Sequence, residues 1–279
     1  MTRSRNHLTI VAATLACVCM AATPAAAGVL MLSDANSIAS FDLESSAGLH
    51  SWLVDGTEHM YQQWFWFRLG DTDGEASIST LTLDAAPILS DLNADGQHDT
   101  LYARYLGFGF KAELWFILAG GGAGSGASDL GEIIRITNVT DSNLDLHFFQ
   151  YADFNLSASG DTLEITGGDA LLAGNTAHQT APGLRVAETV VTPRPSGHQA
   201  GLAPDILGLL EDGSPTTLDN NSGPVTGDVA WMFQWDKVLA PGRTLLISKD
   251  KNIIPEPATL ALMGGGLASV LVLRRRRRK

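Results

Sequence analysis

The sequence predicts an all-β protein, an antiparallel β-sandwich, on three observations. Short runs alternate apolar and polar residues with a period of two, as in Ser77–Leu83 (SISTLTL). Clusters of Gly, Asn, Asp and Pro punctuate those runs. No helical period is sustained between the two apolar termini, apart from a short candidate helix over Ala203–Asp212. Ten or more short strands separated by turn signals require two packed antiparallel sheets.

The N-terminus is read separately from that body. Arg3 and Arg5 precede an apolar stretch from Leu8 to Ala22, and Ala25 and Ala27 complete an Ala-x-Ala site. This is the three-part layout of a secretory signal peptide, residues 1–27, to be cut by signal peptidase after Ala27. Both cysteines, Cys17 and Cys19, lie inside it. The exported chain therefore has no disulfide and must rely on its core.

The body, residues 28–252, is expected to be one extracellular β-sandwich domain. Its first distinctive run is Tyr61–Gly70 (YQQWFWFRLG), with four consecutive aromatics from Trp64 to Phe67. On a strand these point alternately to both faces. Either all four are core, or Trp64 and Trp66 form an open platform that stacks on sugar rings. Next comes Asp91–Asp99 (DLNADGQHD). Asp91, Asn93, Asp95 and Asp99 take positions 1, 3, 5 and 9 of a calcium loop. Gly96 supplies the turn at 6 and the Gln97 carbonyl sits at 7. Tyr102 stands at position 12, where a bidentate Glu is expected, so a plain Asp/Asn/Gly turn is the competing reading. Thr100–Phe110 alternates again, and KAELWFIL, EIIRITNV, LDLHFFQY, TLEI, RVAETVV, VAWMFQW and TLLIS come after it as further strands. Ala119–Ser128 (AGGGAGSGAS) reads as a mobile hairpin loop. It has no Gly-Lys-Ser or Gly-Lys-Thr and so is no phosphate cradle. The histidines of the body show no zinc spacing, and neither His-Glu-x-x-His nor Gly-x-Ser-x-Gly occurs.

The C-terminus, residues 253–279, has a third character. Pro255-Glu256-Pro257 is followed by sixteen uncharged residues, Ala258–Leu273, and then by Arg274–Arg278 and Lys279. Sixteen helical residues rise roughly 24 Å, a short transmembrane helix. The arginines stay in the cytoplasm by the positive-inside rule, which places the body across the membrane. In this order the tripeptide, span and basic block resemble the PEP-CTERM surface proteins of Gram-negative bacteria. The resemblance implies recognition by a membrane protease, an exosortase. It also implies an inner-membrane intermediate, cleavage near Pro255, Glu256 and Pro257, and transfer to the cell surface or matrix. Asp129–Ser157 resembles a β-sandwich type seen ahead of this tail, and that resemblance bears on fold.

Charge limits the partners. Removing both termini takes eight of the eighteen basic residues but only Glu256 of the thirty acids, leaving −19 over residues 28–254. Such a surface repels nucleic acid. These readings together lead to the expectation of a non-enzymatic surface or matrix protein associated with extracellular polysaccharide. The alternative is a carbohydrate-binding module with a calcium-stabilised loop, and after it a glycan-acting hydrolase or lyase. Calcium is the one cofactor expected.

Overall fold

The computed structural model describes residues 28–157, 160–169 and 171–256. The expected signal peptide with Ala25 and Ala27, Pro257 and the expected transmembrane helix lie outside the described residues. Within them the chain is nearly all antiparallel strand. The strands begin with β1 (Leu30–Asp34), β2 (Ser37–Asp42), β3 (Gly48–Val54), β4 (Thr57–Glu58) and β5 (Met60–Leu69). β6 (Ala76–Ser77), β7 (Thr82–Leu83), β8 (Ile88–Ser90), β9 (Thr100–Gly107) and β10 (Phe110–Gly120) come next. After them are β11 (Ser128–Asn138), β12 (Leu144–Phe154), β13 (Asp161–Thr166), β14 (Thr176–Ala181) and β15 (Leu184–Thr192). The last are β16 (Gly197–Leu202), β17 (Val225–Gly227), β18 (Val229–Leu239) and β19 (Thr244–Pro255). The helix α1 (Ala203–Glu211) falls where the sequence predicts it.

Two sheets form the sandwich. The first runs β1-β2-β3-β5-β12-β18-β16, with β4 beside β3 and β6 beside β5. The second runs β17-β13-β14-β15-β19-β11-β10-β9-β7, with β8 beside β9. Pairing is antiparallel except for a short parallel contact of β3 with β5.

Strand alternation sorts side chains into layers. From β12, Phe148 and Gln150 reach inward: Phe148 stacks on Phe65, and Gln150 donates to Glu188 of the second sheet. Tyr151 points the other way, meeting Trp66 edge-on with its hydroxyl towards the Ala203 carbonyl of α1. The outer face of the first sheet is thus covered in its middle, and β5 is buried on both sides. Gly48 accommodates this run: its φ is 55°, and a Cβ would collide with the Trp64 ring.

Between the sheets lies a polar knot that the alternation does not predict. Lys249 and Lys251 hold core positions on β19, fully buried against Glu132 of β11 and Glu188 of β15. Lys249 Nζ is 2.7 Å from Glu132 and 3.0 Å from Glu188. Gln150 and the Trp231 indole N–H also donate to Glu188. Burial alone would raise the Glu188 carboxyl, but the two lysines hold it low. Two cations, two anions and added donors satisfy one another, which is the condition for ionic groups to persist in a core.

Two further expectations are adjusted. The Ala119–Ser128 glycine loop is docked: the Gly124 and Gly126 N–H groups donate to the Asp55 carboxylate at 2.6 and 2.8 Å, and Gly121 N–H donates to Asn36. Those bonds hold the Asp55 carboxyl below the usual range. The sandwich also continues past Asn252, because Ile253 is core and β19 runs to Pro255.

Candidate active site

The carboxyl end of β12 carries polar groups into an otherwise apolar layer. Asp153 is 3% exposed. Its Oδ2 accepts from the Tyr151 hydroxyl at 3.2 Å, and its Oδ1 has no hydrogen-bond partner. Burial pushes the Asp153 carboxyl up to about 7, the charges of Asp228 and Asp161 push the same way, and the Tyr151 hydroxyl pulls against them. Burial also raises the Tyr151 phenol, as does Asp153 beside it, so that hydroxyl stays a neutral donor.

Neighbouring elements hold the rest in place. Asp228 lies in the link between β17 and β18, and its carbonyl accepts the Ala203 N–H at the start of α1. Asp161 opens β13; its Oδ2 accepts from Leu156 N–H at 2.9 Å and Gln179 Nε2 at 2.7 Å, while its buried Oδ1 has no partner. A cleft of about 350 Å³ opens among Tyr61, Tyr151, Asp153, Asp228 and the α1 residues Ala203 and Leu207. A second hollow of about 640 Å³ shares Asn155 and Asp228 with it and adds Asp161. Tyr61, 61% exposed, offers a ring at the mouth. A carboxyl that titrates near neutrality can both give and take a proton at working pH, and two further carboxylates and a phenol stand ready to bind hydroxyl groups.

A separate polar hollow of about 430 Å³ contains Asp169, His198, Asn220 and Ser222. His198 Nδ1 accepts from Gly174 N–H at 2.9 Å, so Nε2 carries the proton and donates to Ser222 Oγ at 2.8 Å. This orientation is the reverse of a base activating a serine.

Of the residues singled out in the sequence, Trp64 and Trp66 are 0% and 2% exposed. The sugar-platform reading of this pair is therefore corrected: neither ring shows a face to solvent, because both sides of β5 are packed. In the Asp91–Asp99 loop, Gly96 makes the turn with φ of 92°. Asp91 accepts from Asp95 and Gly96 N–H groups, and Asp95 accepts from Gln97 N–H. Asn93 donates to Asp34, and Asp99 is buried, gripping the Leu92 and Asn93 N–H groups. Pro255 closes β19 opposite Leu184, and Glu256 N–H donates to the Gly183 carbonyl at 3.0 Å. Sequence reasoning missed Tyr151 and Asp153. Their signal was the pair of polar groups at alternate positions, Tyr151 and Asp153, flanking Ala152 and followed by Phe154.

The family described as the PEP-CTERM protein-sorting motif matches residues 254–278. The chain bears the sorting motif of an exosortase substrate. That motif implies export, a membrane-anchored intermediate and exosortase processing. Among the described residues no helix is long and apolar enough to cross a membrane. No curated relative matches the chain. Among solved structures, a proposed aldose 1-epimerase from Escherichia coli K12 is similar at 11% identity and a TM-score of 0.50, over 82% of this chain and 99% of that one. The Slr1438 protein of Synechocystis sp. PCC 6803 is similar at 11% identity and a TM-score of 0.51, over 82% and 96%. At such identities the likeness is one of fold. It corrects the expectation of a purely structural protein to this extent: the two-sheet sandwich is an architecture that a proposed aldose 1-epimerase also has.

Proposed function

We propose that this protein is a carbohydrate-active enzyme that performs acid–base chemistry at the anomeric carbon of a sugar, with Asp153 as the proton-carrying group. The observation that carries this reading is the buried Asp153 carboxyl, pushed up to about 7, with an unpartnered oxygen at an open cleft. In an anomerisation, the ionised Asp153 takes the proton of the anomeric hydroxyl as the ring C–O bond breaks. The Tyr151 hydroxyl, already hydrogen-bonded to Asp153, stands beside it as a neutral donor to the ring oxygen. On ring closure Asp153 returns its proton to the carbonyl oxygen and Tyr151 takes its own back from the hydroxyl that closes the ring, which restores the site; closure on the opposite face of the carbonyl gives the other anomer. Asp228 and Asp161 orient the sugar hydroxyls, and Tyr61 supports a ring face. The sorting tail supports a final position at the cell surface, beside extracellular polysaccharide, where free sugars are released.

The test is mutarotation of freshly dissolved aldoses, followed by polarimetry with the full-length chain. Acceleration over buffer is expected, with an inflection near pH 7, and Asp153→Asn is expected to lower it at least 100-fold. Equal rates in wild type and Asp153→Asn would overturn the assignment. Glycan cleavage without mutarotation would move the reaction to glycoside hydrolysis, with Asp153 and Asp228 as the carboxyl pair.

A further inference from the structure

The outer face of the first sheet holds a second cluster, at the opposite end of β12 from Asp153. His147 stands six positions before Asp153, roughly 20 Å at about 3.3 Å per strand residue. Arg68 of β5, His147 of β12 and Asp236 of β18 stand in one row across the sheet. Asp145 is two residues before His147 and so shares its face, and Asp71 comes from the turn after β5. The His147 side chain is 12% exposed. Its Nδ1 lies 2.6 Å from Asp236 Oδ1, an oxygen that also accepts from Gln234 Nε2 at 2.7 Å. Its Nε2 is buried and has no hydrogen-bond partner. That nitrogen faces two carboxylates, with Asp71 Oδ1 at 3.5 Å and Asp145 Oδ1 at 3.9 Å. All three atoms lie within 4.8 Å of one another, and they are the one such group of potential metal ligands among the described residues.

We infer that His147, Asp71 and Asp145 form a binding site for one divalent transition-metal ion of the zinc class. Asp236 is the positioning residue, because a carboxylate holding Nδ1–H fixes the tautomer that presents the Nε2 lone pair to a metal. The spacing suits the ion. Bonds of about 2.0–2.2 Å in a tetrahedral site set ligand atoms about 3.4 Å apart. His147 Nε2 and Asp71 Oδ1 already have that separation. Asp71, whose side chain is 85% exposed on a turn, is free to adjust towards Asp145. An imidazole ligand favours a transition ion over calcium or magnesium, which take oxygen ligands. Arg68 Nη1, 3.6 Å from Asp71 Oδ1, balances that carboxylate, while Nε, Nη1 and Nη2 donate to Glu75, Gly70 and Thr216. Three protein ligands leave a fourth position open, and the ion would tie the turn after β5 to the start of β12 and the end of β18.

The experiment is isothermal titration of the full-length chain, in detergent and stripped with EDTA, with zinc chloride. One zinc per chain is expected, with a rise in melting temperature on binding. Asp71→Asn alters an exposed turn residue and leaves the core untouched; it is expected to weaken zinc binding at least 10-fold, as is His147→Gln. Asp236→Asn is expected to weaken it about 10- to 100-fold without removing a ligand. No zinc binding by the wild type, or binding that survives unchanged in both Asp71→Asn and His147→Gln, overturns the site.

Discussion

Asp153 makes a prediction that needs no substrate. In the unfolded chain this carboxyl ionises near its ordinary value of 3.8, and in the native chain near 7. Between those values the native state holds a proton that the unfolded state has released. Stability therefore falls as pH rises through that window and levels off above it. Asp153→Asn removes this contribution. Urea unfolding at pH 4.5 and 7.5 should show the wild type losing more stability than the variant over the interval; equal losses would count against the raised carboxyl. At this scale the sequence was only partly legible. Tyr151 and Asp153 are visible as polar residues at alternate positions near the end of β12. What raises Asp153 is burial beneath α1 together with Asp228, seventy-five positions away, and no local pattern reports that. Trp64 and Trp66 failed for a related reason. Alternation says they share a face, but which of two faces is open depends on α1 and the segment through Thr216 and Leu218, which cover this one.

Elements were more legible than sites. The core of Phe110–Gly120 and the helix Ala203–Glu211 follow from period, because one buried face per element imposes it. Thr100–Phe110, read as one run, instead breaks at Phe108 and Gly109, both at positive φ, and Ser77–Leu83 winds into a 3-10 turn at Ile78–Thr80. β19 shows where the pattern breaks: Leu245, Ile247, Lys249, Lys251 and Ile253 share the core face, and two lysines there read as the polar end of a strand. Only the partners Glu132 and Glu188, on other strands, make those positions tolerable. The Asp91–Asp99 loop belongs to this scale as well. Its turn at Gly96 and the Asp91 grip on two backbone N–H groups give the loop a fixed path. Calcium is expected to raise the melting temperature of the full-length chain more than magnesium does, through oxygen ligands from Asp91, Asn93, Asp95 and the Gln97 carbonyl; Asp99, the remaining residue of the expected set, is buried and holds the Leu92 and Asn93 N–H groups instead. Asp95→Ala should abolish the difference. Identical shifts with both ions would leave the loop as a turn alone.

For the molecule as a whole, the two-sheet architecture was legible and its likeness to particular solved structures was not. The sandwich follows from many short alternating strands, whereas likeness to a proposed aldose 1-epimerase at 11% identity resides in backbone path rather than residue identity. The sorting tail is the reverse case: a linear signal read by a protease must be local, so it is fully written in Pro255, Glu256, Pro257, the apolar run and the arginine block. The structure adds a constraint on its processing. Ile253 is 0% exposed, Pro255 pairs with Leu184, and Glu256 N–H is bonded to Gly183. Cutting before Pro255 would truncate a central strand of the second sheet, and cutting before Ile253 would open a core cavity costing about 2–5 kcal/mol. The pairing of β19 and the Glu256 N–H bond engage the backbone up to Glu256, so a protease that needs free backbone is kept from cutting before it. The intact mass of the protein from its native host should therefore place the new C-terminus at Glu256 or beyond when the exosortase is present. Without the exosortase the mass should retain the tail through Lys279. A mature product ending at Asn252 or earlier would mean that processing invades β19, and that the sandwich is released with its second sheet incomplete.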